Sequence, residues 1–542
     1  MKKIGNTGSF KKFYLNDQIY VDKTEYIYNL INNEARVFIS RPRRFGKSLT
    51  LDTIATLFET GVEPYFKGTW IYDKWTEPTY PVLRLNFLNF DKNSLEKFNN
   101  KLNSKITEFA ELNDVTTYKE KKEAEDSIDH LLEQLRLEGR QIVILIDEYD
   151  CQMTANINNE TLYKQLQEKI TSFYANLKDK LAIKFLGITG VTRLKDVEIF
   201  SIGSDIRDIT NASAYSQMIG FTRDEIKKYY IDYLKLAASY ENNCTVDNVT
   251  EAQIESLLDR LAKNYDGYCF DEFYKKKVFS TWSVNSFFQS IVENKLVFFD
   301  EYWYDNGGLP SILVNYLKTH ELNIFEYLDK DKFLKVSSDD FKNPTALTTI
   351  NQNVLMCQTG YLTLRSDLKK SSTVLLGIPN GEIYKALNRL LANNIFKGKA
   401  DVTDDQGKNL LEEGTVDDII NLFNSALNSV SYDNYPIVSE SSVQNMLKLY
   451  LLGAHQEVLS EVHEAKGRAD LIVNTDIRRI VFEFKYAQNE SEAKTKLSEA
   501  VEQIKSRDYG NILPKKHELL RIAAVFNADP KVRAFTENQI VP

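Results

Sequence analysis

The sequence predicts an α/β protein of several domains, from its length, its composition and its alternating elements. The chain has 542 residues, which at about 100 to 200 residues a domain predicts three or four domains. Hydrophobic residues make up 43% of the chain and charged residues 27%, values that are ordinary for globular proteins and unlike those of disordered chains. In the first third, short apolar runs alternate with longer helical patterns, which predicts a parallel sheet with crossover helices.

Four apolar runs are too short and too rich in β-branched or aromatic residues to be helices, so each predicts a strand. These runs are Arg36–Ser40, Pro81–Asn86, Gln141–Ile146 and Ile183–Ile188. After them, residues 221–236 and 251–265 have the periodicity of two helices with no strand between them. The first part of the chain is therefore expected to hold the parallel sheet, and helices are expected to follow it.

The pattern changes again in the second half of the chain. From about Val354 it predicts a helix, strands at residues 360–364 and 372–377, and a helix from Gly381. Polar, turn-rich stretches at residues 401–406 and 431–436 predict linkers. We therefore expect four domains, at residues 1–215, 216–335, 336–435 and 436–542.

Charge and hydropathy exclude several classes of protein. The net charge is −9 and the sequence pI is about 5.4, so the chain as a whole is not a basic nucleic-acid coat or a membrane-surface protein. No apolar run reaches the length needed to span a bilayer, and no apolar segment follows the basic start. We expect a cytoplasmic protein with no membrane partner. The spacing of the four cysteines and five histidines indicates neither a disulfide framework nor structural zinc.

A phosphate-binding loop is predicted directly after the first strand. Residues 41–48 read Arg-Pro-Arg-Arg-Phe-Gly-Lys-Ser and lead into a segment with helical periodicity. In this context the backbone N–H groups at the helix start cradle phosphates. Lys47 is expected to reach the β and γ phosphate oxygens, and Ser48 to hold magnesium. Arg41 stands where this motif has its first glycine, so the tight turn is expected to form without the freedom of glycine at positive φ.

A strand that ends in two carboxylates supplies the partner motif. The apolar run 141–146 leads into Asp147 and Glu148, with Asp147 expected toward magnesium and Glu148 toward the attacking water. Such a strand is common by itself, and so is Gly-Lys-Ser. Both motifs together, in this order and about a hundred residues apart, predict nucleotide binding with ATP and Mg²⁺ as cofactors.

Other side chains near these motifs are expected to contribute. Thr189 stands where a polar sensor of the γ-phosphate is expected, and Arg193 is expected to place a cation on the transferred charge. The guanidinium groups of Arg43 and Arg44 are expected to contact phosphate or another part of the protein. The predicted nucleotide-binding set comprises Arg43, Arg44, Phe45, Gly46, Lys47, Ser48, Asp147 and Thr189.

Near the C-terminus, two strand-like segments carry acidic residues at matching offsets. If the hairpin turns at residues 476–477, antiparallel pairing places Asp470 directly opposite Glu483. Lys485, two residues after Glu483, then points to the same face. Because like charges directly opposite each other destabilise a hairpin, this pair needs a cation, and Mg²⁺ held by carboxylate oxygens is the natural one.

This cluster predicts phosphodiester chemistry, although a solvated hairpin with alternating charges is the alternative. Lys485 is expected to orient or activate a water, with the metal stabilising the developing charge. The helix predicted at residues 492–505 carries Gln503, which is expected to reach the same site. Residues 439–542 contain 15 Lys plus Arg and 15 Asp plus Glu, a balance that is compatible with cutting nucleic acid but does not favour tight non-specific binding.

Taken together, these motifs resemble the bacterial AAA-ATPase-like family, whose members typically end in a PD-(D/E)XK nuclease-superfamily domain. The matching motifs are Tyr20–Thr24, Arg41–Ser48, Ile146–Asp150, Thr189–Arg193, Asp266–Tyr268, Thr359–Thr363 and Ile378–Asn380, followed by the nuclease motifs Gly467–Asp470, Glu483–Lys485 and Gln503–Ile504. The Arg-Pro-Arg-Arg-Phe-Gly-Lys form of the loop is usual in that family, which makes Arg41 a family trait.

The resemblance implies a P-loop NTPase parallel-sheet core, a helical and winged-helix-like middle, and a restriction-endonuclease-like α/β domain at the C-terminus. Nucleic acid is the expected substrate, with DNA favoured over RNA, and the sequence leaves a homo-oligomer (a ring or a dimer) and a monomer open as the oligomeric state. The family has a further acidic residue on the first nuclease helix, for which Glu440 and Glu461 are both candidates.

Three hypotheses about function follow from these residues. In the first, nucleotide state controls Mg²⁺-dependent cleavage of a phosphodiester. In the second, a STAND-like signalling protein uses ATP to gate assembly, and its nuclease-like fold binds a partner. In the third, an ATPase carries a decayed nuclease fold, against which the intact Asp470, Glu483 and Lys485 argue.

Overall fold

The described part of the chain forms two compact units. The computed structural model describes residues 1–193, 205–304, 311–317, 320, 324–344, 346–347, 349–396, 404–454, 456–464, 467–509 and 518–542. The first unit comprises Met1–Leu322 and Phe333–Ile383, and the second comprises Asn323–Lys332 and Tyr384–Pro542. The four predicted domains stay a prediction within this coarser division.

A five-stranded parallel sheet forms the centre of the first unit. Its strands are β1 (Arg36–Ser40), β2 (Val82–Asn86), β3 (Ile142–Asp147), β4 (Ile183–Gly190) and β5 (Arg207–Asp208). Their order across the sheet is β2-β3-β4-β1-β5, and every neighbouring pair is parallel. The four predicted strands are confirmed, and each predicted end lies within two residues of the observed one. The order places β4 between β1 and β3.

Helices pack against this sheet, and β3, between β2 and β4, is buried along its whole length. All six residues of β3 are buried, as expected for a strand of a parallel sheet with both faces covered. On α5, Ile128, Leu131, Leu132 and Leu135 are buried at helical spacing. The helices of this part are α1 (Phe10–Leu15), α2 (Thr24–Asn33), α3 (Lys47–Thr60), α4 (Leu95–Leu112), α5 (Ala124–Leu137), α6 (Cys151–Ala155) and α7 (Glu160–Ala175).

The helices predicted after the sheet are present, with one difference. These are α8 (Arg223–Tyr229), α9 (Ile231–Glu241), α10 (Glu251–Tyr265), α11 (Thr281–Asn294) and α12 (Ser311–Leu317). The predicted helix over 251–265 is confirmed, whereas the one over 221–236 is interrupted at Tyr230. The Tyr230 ring stacks on Phe288 at 5.2 Å, and its hydroxyl donates to the side chain of Asn285. These tertiary contacts accompany a local backbone (φ −109°, ψ 18°) that ends one helix and begins the next.

A small antiparallel sheet with the order β6-β8-β7 completes the first unit. Its strands are β6 (Leu334–Ser337), β7 (Thr363–Leu364) and β8 (Thr373–Gly377), and the helices near them in sequence are α13 (Ser338–Lys342), α14 (Gln352–Thr359) and α15 (Gly381–Ile395). The strand predicted over 360–364 is shorter because the N–H groups of Tyr361 and Leu362 instead donate to the carbonyl oxygen of Met356 at the end of α14. The winged-helix-like interpretation of this region stays a prediction.

The second unit is built on a mixed five-stranded sheet with the order β13-β12-β11-β10-β9. Its strands are β9 (Glu457–Glu464), β10 (Gly467–Asn474), β11 (Arg478–Ala487), β12 (Glu518–Asn527) and β13 (Ala534–Ile540), and its remaining helices are α16 (Asp404–Glu413), α17 (Val416–Leu427), α18 (Glu440–Gly453) and α19 (Glu490–Arg507). Strands β11 and β12 are parallel, and α19 is the crossover between them, as such a pair requires.

One linker prediction is partly wrong. The stretch predicted as turn-rich, 401–406, enters α16 at Asp404, and residues 401–403 lie outside the described part. Among the described helices, none has both the length and the apolar character needed to cross a membrane.

At Gly267 the chain after α10 packs closely against the chain after β8, and a substitution there tests this packing. Its φ is 97°, and a Cβ atom there would lie 2.2 Å from the carbonyl oxygen of Pro379. We expect Gly267→Ala to lower the free energy of unfolding by about 2 kcal/mol or more, because strain and overlap act together. Gly68→Ala is the control, since Gly68 has a φ of 84° but no neighbouring atom within 4 Å of that Cβ position. Chemical denaturation measures both, and equal losses would contradict the packing described.

Candidate functional site

The loop between β1 and α3 has the conformation of a phosphate cradle. Gly46 precedes the first residue of α3 with a φ of 104°, and Arg44 has a φ of 70°. As expected, the turn forms without the freedom of glycine at position 41, because the left-handed positions of the loop are Arg44 and Gly46 and do not include Arg41. The N–H groups at the start of α3, together with this loop, form the N-terminal anion site that a phosphate requires.

Arg41 has a structural place in the loop. Its side chain is buried, and its Nη1 donates to the carbonyl oxygens of Ser40 at 2.8 Å and Thr210 at 2.7 Å. The guanidinium carbon lies 4.1 Å from the centre of the Phe270 ring. Burial lowers the pKa of Arg41 to about 9, although the charge of Asp208 opposes this. A glycine here would remove these contacts, which explains why the loop carries an arginine.

Lys47 lies inside the loop. Its Nζ donates to the carbonyl oxygens of Arg41 and Pro42, each at 3.1 Å, and lies 4.0 Å from Oε1 of Glu148. The lysine side chain is only 4% exposed. A buried ammonium that contacts main-chain oxygens is ready to accept phosphate oxygens as partners.

Ser48 and Asp147 form the contact that joins the two predicted motifs. The Ser48 hydroxyl donates to Oδ2 of Asp147 at 2.6 Å, and Oδ1 accepts the N–H of Glu148 at 3.0 Å. Burial raises the pKa of Asp147, the charge of Glu148 adds to this, and the Ser48 hydrogen bond opposes it. A hydroxyl and a carboxylate in contact are the oxygen ligands that Mg²⁺ accepts, so these residues fit the ion.

Thr189 lies at the same edge of the sheet. It pairs with Ile39 on β1, while the neighbouring Ile188 pairs with Ile146 on β3, so Thr189 is next to the strand end that carries Asp147. Its hydroxyl is buried without a hydrogen-bond partner. Such a group costs free energy unless a ligand satisfies it, which suits a residue that contacts a bound group.

Arg193 is engaged elsewhere in this structure. Its Nε pairs with Asp208, and its main-chain N–H donates to Oε1 of Gln358 at 3.2 Å. The preceding residues are held by Asp150, whose Oδ2 accepts the N–H of Thr192 at 2.7 Å. The predicted role of Arg193 at the transferred charge stays a prediction.

Arg43, Arg44 and Phe45 contact other parts of the first unit. The Arg44 guanidinium lies 4.3 Å from the centre of the Trp282 ring. The Phe45 ring is buried edge-on against Tyr268 at 4.7 Å. The sequence predicted that these arginines contact either phosphate or another part of the protein. For Arg44 the structure shows the second kind of contact, with Trp282.

A cavity of about 490 Å³ opens over the loop, a size typical of small-molecule sites. Its lining includes residues 43–50, Glu148, residues 5–8 of the N-terminal segment, residues 218–221 and Trp282. Residues 5–8, residues 218–221 and Trp282 were missed by sequence reasoning. They lie far along the chain from the phosphate loop and have no local signature.

The C-terminal hairpin has the predicted register. Leu471 pairs with Phe482, and three further pairs follow to Asn474 with Arg479. The N–H of Thr475 donates to the carbonyl oxygen of Arg478 at 2.8 Å, which closes a two-residue turn. One step before the pair of Leu471 with Phe482, away from the turn, this register brings Asp470 level with Glu483.

The acidic and basic side chains predicted here lie together. Oδ2 of Asp470 accepts the N–H of Phe484 at 2.8 Å. Nζ of Lys485 donates to Oε1 of Glu483 at 2.9 Å and to Oε1 of Glu440 at 3.3 Å. Of the two candidates for the further acidic residue, Glu440, in the first turn of α18, contacts the lysine. The side chain of Glu461, on β9, lies outside the described residues.

Burial and mutual repulsion set the charges of this cluster. Burial and the charge of Asp470 raise the pKa of Glu483 to about 7, and burial also raises the pKa of Asp470. Burial lowers the pKa of Lys485, but the ion pairs with Glu483 and Glu440 outweigh it, so the net shift is upward. Oε2 of Glu483 is buried without a hydrogen-bond partner, so a cation would satisfy both that oxygen and the repulsion.

The donor set fits Mg²⁺ better than a metal that needs a full protein cage. The described residues contain no group of three or more His, Cys, Asp or Glu side chains arranged to hold a metal. Mg²⁺ is commonly held by one or two carboxylates, with water and substrate phosphate completing its shell. Asp470 and Glu483 meet that requirement.

On α19, Gln503 is half-buried, and its role in the site stays a prediction. Sequence reasoning missed Arg507, four residues further along α19 and so on the same side of the helix. The pKa of Arg507 is raised by its hydrogen bond with Tyr509 and, less strongly, by the charges of Glu483 and Asp470. No motif marks it, because its proximity to the carboxylates depends on how α19 crosses the sheet.

Comparison with known proteins gives matches at both ends of the chain. Residues 4–200 match the AAA-ATPase-like family model, described as "Predicted AAA-ATPase", and residues 438–535 match that of the PD-(D/E)XK nuclease superfamily. A curated relative, "Uncharacterized protein in vnfD 5'region" of Azotobacter chroococcum mcd 1, is 26% identical over 533 residues, 95% of this chain and 94% of the relative.

Two solved structures are similar to part of the chain. The Walker-type ATPase PABY2304 of Pyrococcus abyssi has a TM-score of 0.38 and 12% identity, covering 71% of this chain and 99% of that one. Cdc6p of Pyrobaculum aerophilum has a TM-score of 0.26 and 11% identity, covering 72% and 99%. By its family matches, the chain combines an AAA-ATPase-like domain within residues 4–200 with a C-terminal domain of the PD-(D/E)XK nuclease superfamily within residues 438–535.

Proposed function

We propose that this protein binds and hydrolyses ATP with Mg²⁺ in its first unit, and that nucleotide state controls Mg²⁺-dependent cleavage of nucleic acid by its C-terminal domain. DNA is the proposed substrate in preference to RNA, and the cytoplasm is the proposed location. The observation that carries the ATPase half is the contact of Ser48 with Asp147 at 2.6 Å. The cluster of Asp470, Glu483 and Lys485 carries the nuclease half.

In the first unit, each residue has a distinct task. The loop N–H groups and Lys47 bind the phosphates, while Ser48 and Asp147 hold the ion, which when bound neutralises charge on the phosphate oxygens. Glu148 lies 4.0 Å from Lys47 and follows Asp147 with a left-handed φ of 53°. From this position Glu148 orients the attacking water and accepts its proton.

In the C-terminal domain, the basic and acidic side chains have different proposed roles. The ion pairs of Lys485 with Glu483 and Glu440 raise its pKa, so it is placed as an ammonium that orients the water and stabilises negative charge on the phosphate. Asp470 and Glu483 hold the ion, whose bound form supplies charge for the developing oxyanion. Arg507 adds a second positive charge on the side of α19.

The ATPase half is tested by two variants. Lys47→Ala is expected to abolish measurable nucleotide binding, because the ammonium is the main cation for the phosphates. Glu148→Gln is expected to bind ATP but hydrolyse it about a hundredfold or more slowly, since it removes the base. Binding of a fluorescent ATP analogue and phosphate release measure these effects. Lys164→Ala, at an exposed ion pair on α7, is the control, and wild-type hydrolysis by both test variants would refute the mechanism.

The nuclease half is tested on single- and double-stranded DNA and RNA with Mg²⁺. Asp470→Ala and Lys485→Ala are each expected to slow cleavage about a hundredfold or more, because each removes part of the charge stabilisation. Asp476→Ala, at the exposed hairpin turn, is the matched control. Cleavage that persists in both test variants would contradict the site. Nucleotide-dependent self-association without cleavage of any substrate would favour the signalling function instead.

The stability of the second unit should depend on pH through Glu483. Its folded pKa of about 7 lies above the usual value near 4.3, so the folded state binds more protons and stability falls as pH rises between these values. Glu483→Gln should therefore raise the unfolding temperature at pH 8 without metal, by removing a penalty of up to about 4 kcal/mol. Added Mg²⁺ should stabilise the wild type more than the variant. Glu502→Gln, at an exposed position, is the control in calorimetry of the full chain, and a variant less stable than wild type at pH 8 would contradict this.

A further inference from the structure

Two carbonyl oxygens of the phosphate loop are bound by residues from far along the chain. The indole Nε1 of Trp303 donates to the carbonyl oxygen of Arg43 at 3.1 Å. The hydroxyl of Thr281, the first residue of α11, donates to the carbonyl oxygen of Arg44 at 3.0 Å. None of the sequence motifs includes Trp303 or Thr281.

Glu382 accepts hydrogen bonds from both segments that carry these two donors. Oε1 of this carboxyl accepts the main-chain N–H of Trp303 at 2.8 Å, and Oε2 accepts the hydroxyl of Ser283 on α11 at 2.7 Å. The side chains of Trp303, Ser283 and Glu382 are all buried. The Trp303 ring also packs edge-on against Tyr361, with ring centres 5.3 Å apart. One buried carboxyl therefore holds both segments that contact the loop.

Peptide geometry gives these contacts a consequence for phosphate binding. In a trans peptide the C=O and the following N–H point in opposite directions. Holding the carbonyl oxygens of Arg43 and Arg44 therefore fixes the directions of the N–H groups of Arg44 and Phe45, away from the donors. Successive N–H groups held on one side, with a left-handed residue between, are the nest that binds an anion.

We propose that Trp303 and Glu382 are positioning residues for the phosphate loop, which set its N–H groups for the phosphates of ATP. This inference rests on the proposed ATP binding and extends it, because it makes nucleotide affinity depend on residues about 260 and 340 positions beyond the loop. Glu382 is the second residue of α15, and the chain passes into the second unit at Tyr384. The anchor of the loop is thus two residues from the start of the unit that carries the nuclease-superfamily domain.

The chemistry of Glu382 provides a discriminating pair of variants. Burial raises its pKa to about 8, so the carboxyl is largely neutral at pH 7, where a glutamine matches it in shape and charge. A glutamine oxygen can accept the Trp303 N–H, and its amide can donate to the Ser283 hydroxyl, which then donates to Oγ of Ser280 at 3.0 Å. Alanine can do neither, so Glu382→Gln keeps the anchor and Glu382→Ala removes it.

The test measures the Kd of a fluorescent ATP analogue with Mg²⁺ on the full chain at pH 7. Glu382→Ala and Trp303→Phe are expected to weaken binding three- to tenfold, the effect of one or two lost hydrogen bonds. ATP hydrolysis at saturation is expected to change less than twofold, because the anchor acts on binding. Glu382→Gln is expected to stay within twofold of wild type. Trp75→Phe is the matched control, because Trp75 is not part of the cavity lining.

Three results would overturn the proposal. Binding by Trp303→Phe within twofold of wild type would show that the indole contact does not position the loop, whether or not Glu382→Ala folds. Equal losses in Glu382→Gln and Glu382→Ala would show that the hydrogen bonds of the carboxyl are not responsible. A wild-type chain that binds no nucleotide would refute the proposed function and this inference together, whereas tight wild-type binding with unaffected variants would refute this inference alone.

Discussion

The hydrogen bond between Ser48 and Asp147 is the interaction on which the first site depends. These residues are 99 positions apart in the sequence, and a hydroxyl at the start of α3 meets the carboxylate at the end of β3 only because of the order of the strands. With β4 between β1 and β3, the carboxyl ends of three parallel strands meet at one edge. That edge holds the phosphate loop, the two acidic residues and the buried hydroxyl of Thr189.

The two sites share one electrostatic arrangement, in which two neighbouring carboxylates lie beside one lysine. Each places an aspartate and a glutamate close together, and burial and the charge of the neighbouring carboxylate raise the pKa of Asp147 in the first site and of Glu483 in the second. Each also places a lysine beside the glutamate, at 4.0 Å for Lys47 and Glu148 and at 2.9 Å for Lys485 and Glu483. One lysine only partly compensates two carboxylates, since Asp147 and Glu483 both keep raised pKa values. A divalent ion and a phosphate would complete the compensation.

Local pattern explains what the sequence could predict. Strand ends follow from short apolar runs, and the hairpin register follows from turn length, so Asp470 and Glu483 could be paired from spacing alone. Tertiary contacts explain what it could not. The helix break at Tyr230 accompanies contacts with Phe288 and Asn285, and the burial of Arg41 depends on Thr210 and Phe270. Trp303 and Glu382 have no motif, because their contacts with the loop exist only in the folded chain.

The central claim is that nucleotide bound to the first unit controls cleavage by the C-terminal domain. The cleavage rate measures this control. The most direct test is the initial rate at which the full chain cleaves a labelled DNA with Mg²⁺, measured with and without ATP for the wild type and for Lys47→Ala. The account predicts that ATP changes the wild-type rate and leaves the rate of the Lys47→Ala chain unchanged, while both chains cleave alike without ATP. A wild-type rate that is the same with and without ATP, or an equal response to ATP in both chains, would contradict it.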